Sequence, residues 1–498
     1  MSFALRFFSI VFLAFMWSQG YSVESATTLR IDLPGALRFA HTQGREKKTQ
    51  DEELDLTDRA LGIARRDLWP DLQATLGANV SKAADGKTTP SQNAGVGVST
   101  PIPLVGGSAS LNAGTTRSDT PGTPEQYSDT VNLSFSVPLL RGGGYIRWRS
   151  GLTAAERAWV GAQRAHQRFL EELSLSIAQR FWNLDQLRLA RTLAGESVEK
   201  AQYLLEQSKA LVEIARATPN DVLRAELGVA QAQQSVTDAQ AALEGGIADF
   251  CIALGLDPDT RLEWVSITPN ILQWDFDLAV AQKTALERRV DWAEALDHID
   301  DVKRSLSLAR RDLLFPQLDL SGGSGLSKTG NTPFDETLKQ DPSWQLGVTL
   351  TLPASKRHEE HSYYTALISL ARSQRNLEAT RQRIQNEVQT ALRNLRKSET
   401  SLAIQKRQAE FARLKQEKSL IDYQAGILTN KDYLDSEGEV RQADNAVLAA
   451  SIAMVVAELE LRRATGCLSL HSDGRWRDEI PPYAAPRSAT APSTKVSE

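Results

Sequence analysis

No stretch of this chain beyond its first 20 residues strings together about 18 apolar side chains, so no transmembrane helix is expected there. There are only two cysteines, Cys251 and Cys467, which excludes a disulfide framework and leaves either one bridge or two buried thiols. Neither follows the N-terminal apolar core, so no lipid attachment is implied there. The net charge of −5 across 498 residues gives no nucleic-acid signal. No nucleophile–base constellation or phosphate loop stands out: Gly142-Gly143-Gly144 lacks the spaced glycines and lysine of one. His358-Glu359-Glu360-His361 lacks the metal-binding spacing of His-Glu-x-x-His and reads as a solvated helix start. An enzyme is therefore not expected, and neither a metal nor any other cofactor is implied.

What is present begins with a leader. Arg6 precedes the apolar core Phe7–Met16, and residues 1–26 read as a secretory signal peptide cleaved between Gly20 and Ala26. Two later stretches are nearly alike: Ala64-Arg65-Arg66-Asp67-Leu68-Trp69-Pro70-Asp71-Leu72 and Ala309-Arg310-Arg311-Asp312-Leu313-Leu314-Phe315-Pro316-Gln317-Leu318. Each closes a helical pattern at a proline and opens an alternating one. The chain is thus a tandem duplication of a helix–strand–strand–helix–helix unit. The first repeat is placed at 27–256, a connector at 257–276, the second repeat at 277–468, and a Ser/Pro/Ala-rich disordered tail at 469–498.

Within the repeats, helices are expected at Leu33–Trp69, Tyr145–Ala215 and Asp221–Leu254, then at Asp277–Leu314, Ser355–Ala425 and Asp432–Thr465. In each repeat the two shorter helices together match the long one in length. Stacked end to end, they would run beside it for roughly 105 Å, as in the wall of a tube. Charge is abundant on these helices and scarce between them. Arg372–Lys418 is markedly basic, read as a solvated outer face or, alternatively, a cation-lined wall.

The strand regions, Pro70–Val137 and Gln317–Leu352, alternate with period two. Leu72, Ala74, Leu76, Ala78 and Val80 share one face, as do Val131, Leu133, Phe135 and Val137, and Trp344, Leu346, Val348, Leu350 and Leu352. Apolar residues on one face and small polar ones on the other suit a membrane barrel, although a half-buried soluble sheet has the same period. Pro103-Leu104-Val105-Gly106-Gly107 repeats the turn Pro138-Leu139-Leu140-Arg141-Gly142-Gly143. The first repeat therefore holds four strands, or two plus a surface hairpin; the second holds two. Four or six strands cannot close a barrel, and open edges are not tolerated in lipid, so several protomers must share one.

With these features the chain resembles the TolC-like outer-membrane factors, from about Leu33 to Leu468. The resemblance implies a membrane α+β fold: a homotrimer sharing one outer-membrane β-barrel, set in lipid, with a long periplasmic α-helical barrel. It implies a passive exit duct of a tripartite efflux pump or type I secretion system. The implied partners are a periplasmic adaptor and an inner-membrane transporter. The alternative is a soluble periplasmic coiled-coil adaptor or scaffold, which leaves the alternating strands unexplained.

The most specific motif, Tyr423-x-x-Gly426-x-Leu428-x-x-x-Asp432-Tyr433-Leu434-Asp435, looks like the family's second periplasmic turn. The resemblance places Tyr423, Asp432, Asp435 and Asp221 at a constricted entrance. It gives Gly426, Ile427, Leu428 and Pro219 to the turns on which an adaptor docks. Leu428 stands where some members carry an arginine that latches the entrance. Thr218 and Asp221, like Thr429 and Asp432, are three apart at a helix start, which reads equally well as a capping box. Asp435 lies past the first turn. It is either one of a ring of carboxylates about the axis or a plain solvated group.

Overall fold

The computed structural model describes residues 29–82, 88–119, 124–214, 218–265, 274–334, 339–425, 427–468 and 484–486. The leader at 1–26, Gly426 and most of the tail lie outside the described residues. The first repeat runs β1 (Leu29–Ile31), α1 (Leu33–Gln43), α2 (Arg45–Arg66), β2 (Asp71–Lys82), β3 (Thr88–Ile102), β4 (Gly107–Ser118), β5 (Gln126–Pro138), α3 (Ser150–Glu213) and α4 (Pro219–Leu254). After β6 (Leu262–Trp264) and β7 (Trp274–Phe276), the second runs α5 (Leu278–Arg288), α6 (Val290–Leu314), β8 (Gln317–Gly330), β9 (Ser343–Thr351), α7 (Arg357–Gln424) and α8 (Asn430–Ala464). A last strand, β10 (Ala484–Pro486), pairs with β7, so the stretch expected to be wholly disordered supplies one short strand.

The longer strands form one antiparallel sheet in the order β2-β3-β4-β5-β8-β9. The first repeat gives four strands rather than two and a loose hairpin. β5 and β8 join the repeats in the sheet, with Val137 opposite Leu320 and Phe135 opposite Gly322. β2 and β9 are its two edges. The two glycine turns lie together beneath the sheet, where the Gly144 N–H donates to the Val105 carbonyl at 2.9 Å. Gly106, Gly142 and Gly144 take φ of 80°, 86° and 98°, the left-handed region that glycine enters without strain.

The long helices hold 64 and 68 residues, a span of about 100 Å. α3 starts at Ser150 because Gly144 and Arg149 set Tyr145–Trp148 apart as a single turn, so the expected helix from Tyr145 is interrupted. α2 packs beside the early part of α3, where His166 and Asp51 are 2.9 Å apart. α4 packs further along, where Phe181 and Phe250 meet edge to face.

The first helix of each repeat, expected to be continuous, is broken by one extended residue. Gly44 has ψ 133° and Arg289 ψ 131°. The last helix of each repeat ends against that break: Gly255 lies beside Gln43–Arg45, and Gly466 beside Arg288–Arg289. Both are left-handed, at φ 81° and 69°. A Cβ on either would press on the neighbouring backbone, at 3.0 Å from the Gln43 carbonyl oxygen in the first case. The end-to-end stacking that the lengths imply is therefore present, and glycine makes it possible.

Two apolar clusters sit near these junctions, one per repeat. In α3, Leu173, Ile177, Phe181 and Leu184 bury against Leu37, Ala40, Phe250 and Leu254. In α7, Ile384, Val388, Leu392 and Leu395 bury against Ala281, Ala285 and Leu461. The spacing along both long helices is the same. Elsewhere the helices are thinly buried, as expected of rods in a wall.

Candidate functional site

The helix tips furthest from the sheet hold the residues singled out by sequence. At the first tip, Thr218 caps α4. Its N–H and its hydroxyl both donate to the Asp221 carboxylate, at 2.9 and 2.7 Å. These bonds hold the Asp221 carboxyl below the usual carboxylate range. Pro219 takes the first helical position, where a missing N–H costs nothing. At the second tip the Thr429 hydroxyl donates to Asp432 at 2.5 Å, and the Asp432 N–H points back at it at 3.3 Å. Asp221 and Asp432 are thus engaged in capping.

Asp435, one turn beyond, is exposed and makes no ion pair among the described residues. Ile427 is 76% exposed and Leu428 is half-buried. Their N–H groups both donate to the Asp422 carbonyl, joining the start of the second tip to the end of α7.

Tyr423 stacks on Tyr433, with ring centroids 5.6 Å apart and planes 17° from parallel. Tyr423 also meets α3 and α4: burial pushes its phenol up, and the nearby Tyr203 and Asp221 add to the shift, while a hydrogen bond with Ser208 opposes it. The structure therefore brings Tyr423 and Asp221 to one locus and leaves Asp435 apart on the surface.

A residue that sequence reasoning missed organises this locus. Glu437 accepts from the Tyr433 hydroxyl at 3.0 Å, from Gln416 of α7, and from Lys200 of α3 at 2.5 Å. One largely buried carboxylate thus ties three helices together. Burial, followed by the Glu437 charge, pushes the Tyr433 phenol up to about 12. The only sequence signal was the four-residue spacing from Tyr433, which places the two on one helix face. Nearby, Arg413 and Lys415 of the basic run pair with Asp444 and Glu439 at 2.7 and 2.6 Å, so part of that run fastens α7 to α8. At the other end of α7, Glu359 of the His-Glu-Glu-His stretch is held by Arg141 at 2.7 Å.

Far from the tips, the sheet presents two unlike faces. On one, Leu72, Leu76 and Val80 of β2 are 68%, 88% and 73% exposed, and Trp344, Leu346 and Val348 of β9 are 79%, 64% and 63% exposed. On the other lie Asn79, Asn93, Asn112 and Asn132 among glycines and hydroxyl residues. A profile of the outer membrane efflux proteins matches residues 91–245 and 282–467, which is most of both repeats. The chain belongs to the outer membrane efflux protein family.

It is a transport protein, an outer-membrane efflux channel whose sheet lies in the outer membrane and whose helices extend into the periplasm. The Pseudomonas aeruginosa pyoverdine export outer membrane protein OpmQ is 23% identical over 422 residues, covering 84% of this chain and 80% of that protein. The Campylobacter jejuni CmeC outer membrane channel superposes with a TM-score of 0.67 at 15% identity, over 90% of this chain and 87% of that one. The Neisseria gonorrhoeae MtrE channel in its open state gives 0.62 at 17% identity, over 87% and 88%. These structures share the TolC-like fold. No helix among the described residues is long and apolar enough to cross a membrane.

Proposed function

We propose that this efflux channel works as a homotrimeric, passive duct in a tripartite pump or a type I secretion system. Cargo enters at the helix tips and leaves through a shared barrel. A periplasmic adaptor docks on the turns at Pro219 and Gly426–Leu428, and an inner-membrane transporter supplies the energy. Asp435 and Asp432, with Tyr423 and Asp221 behind them, line the entrance. The reading divides the precursor into a signal peptide at 1–26 and two duct repeats at 27–256 and 277–468.

The observation that carries this reading is the exposed apolar face of a sheet whose two edges lack partners among the described residues. Lipid covers the face, and further copies cover the edges. A soluble coiled-coil adaptor would leave both bare. The expected result is an outer-membrane species with the mass of three chains in detergent. Cysteines placed at Pro219 and Ile427 should crosslink between protomers and stop efflux. Transport that survives complete crosslinking would remove the tips as the entrance.

A further inference from the structure

We infer that the duplicated Arg-Arg-Asp stretches form a basic collar that binds anionic phospholipid headgroups at the periplasmic edge of the membrane. The inference rests on the lipid-covered sheet proposed above and adds which lipid the channel selects.

The collar is built twice. α2 ends in Arg65-Arg66 and leads through Trp69 into β2; α6 carries Arg310-Arg311 and leads through Phe315 into β8. Helical bonding continues past each pair. The Trp69 N–H donates to the Arg66 carbonyl at 2.8 Å, and the Phe315 N–H to the Arg311 carbonyl at 3.0 Å. Residues three or four apart share a helix face. Arg65 and Arg66 therefore lie on the side of Trp69, and Arg310 and Arg311 on the side of Leu314 and Phe315. Trp69 is 71% exposed and Leu314 58%. Trp69 also continues the apolar ribbon that starts at Leu72, so the lipid that covers the ribbon reaches the indole, a ring suited to the membrane border.

Direction sets the level of the charges. Helical side chains lean toward the N-terminus of their helix. α2 and α6 both point at the sheet, so their arginine heads reach away from the acyl region while the stems stay at its border. That is the level of the headgroup phosphates.

The four arginines make no ion pair among the described residues. Further along the tube, Arg157, Arg164 and Arg168 are all paired. The aspartate after each pair does not neutralise it: Asp312 is held by Arg147 at 2.9 Å, and Asp67 is exposed. Lys356 donates to the Leu313 carbonyl at 3.2 Å, which brings the exposed Lys356 and Arg357 to the same level. At the other end of the sheet two of the cations have carboxylate neighbours: Arg117 pairs with Glu125 at 2.5 Å, and Lys328 lies opposite Asp129. A lone arginine on a helix is ordinarily just solvated. Solvation does not account for unpaired couples beside exposed apolar residues at equivalent points of both repeats. A guanidinium fork fits a phosphate, and a phospholipid joins that phosphate to the acyl chain that covers Trp69.

The test reconstitutes the full-length channel in vesicles of phosphatidylethanolamine with a minor share of phosphatidylglycerol. The channel is then extracted in mild detergent and its retained lipid measured by mass spectrometry. The wild type should hold phosphatidylglycerol above its share in the vesicle and release it in high salt. Arg65→Gln, Arg66→Gln, Arg310→Gln and Arg311→Gln together should abolish the enrichment, each removed arginine lowering it by up to roughly fivefold. Lysine at all four positions should keep most of it. Arg372→Gln with Arg375→Gln, exposed arginines further along α7, should leave it unchanged. Each couple changed to glutamine alone should lose part of it, so misfolding of the fourfold variant leaves the test intact. Added inorganic phosphate should not displace the lipid. No enrichment in the wild type, enrichment that survives the glutamine changes, equal loss in the α7 control, or displacement by phosphate overturns the collar. A channel that inserts without enrichment fails here alone; one that does not enter vesicles fails the lipid-covered sheet itself.

Discussion

At the residue scale, the tip carboxylates divide by what they touch. The capping role of Asp221 and Asp432 was legible as Thr-x-x-Asp, because a helix start needs acceptors for its free N–H groups wherever it lies. Asp435 has no such duty and remains exposed. If three copies face the axis, their repulsion makes a constriction that attracts cations. Asp435→Asn should then reduce cation selectivity and block by multivalent cations in planar bilayers, with trimer stability nearly unchanged. Asp432→Asn should destabilise less than Asp432→Ala, since Asn still accepts a hydrogen bond; the Ala loss should be about 1 kcal/mol. Unaltered selectivity in Asp435→Asn would identify it as an ordinary surface group. With Leu428 half-buried at the turn, no arginine there offsets the charge.

At the element scale, helix lengths and strand faces were legible because both follow from local periodicity. The breaks at Gly44 and Arg289 were not. The sequence through Arg289 has good helix formers, and the break is set by partners distant in the chain: Asp291 is close by, but Glu387 and the Ala464 carbonyl come from α7 and α8. The Glu437 cluster was hidden for the same reason, since Lys200 is more than 200 residues away. Glu437→Gln keeps the shape and removes the charge. It should cost about 1–3 kcal/mol of tip stability. It should also lower the pH at which the Tyr433 phenol ionises, since one of the causes raising it is gone. Tyrosinate absorbance, with Tyr433→Phe as the reference, reads this. An unmoved Tyr433 titration would mean that burial alone sets its value.

At the scale of the molecule, the two repeats meet along the helices through charge sorted by sign. Arg147, Arg157, Arg164 and Arg168, in and just before α3, face Asp312, Asp301, Asp297 and Glu294 of α6, with contacts from 2.5 to 3.7 Å. Each series reads in the sequence as one more solvated helix face; only the closing of the tube turns them into a joint. Burial works to raise the Asp297 carboxyl, but hydrogen bonds from Arg164 and Arg157 outweigh it and hold the group below its usual range. A depressed carboxyl contributes stability above the ordinary carboxylate pKa, near 4, and loses it as pH falls through its lower folded value. Because the pairs are partly exposed, Asp297→Asn should cost no more than about 1 kcal/mol at neutral pH, and less in high salt. The deficit should vanish at a pH well below 4, where the wild-type carboxyl is also protonated. Thermal melts of the helical tube followed by circular dichroism at several pH values would show the two curves converging. A deficit that stays constant down the pH series would mean that Asp297 acts through packing or hydrogen bonding and not through its charge.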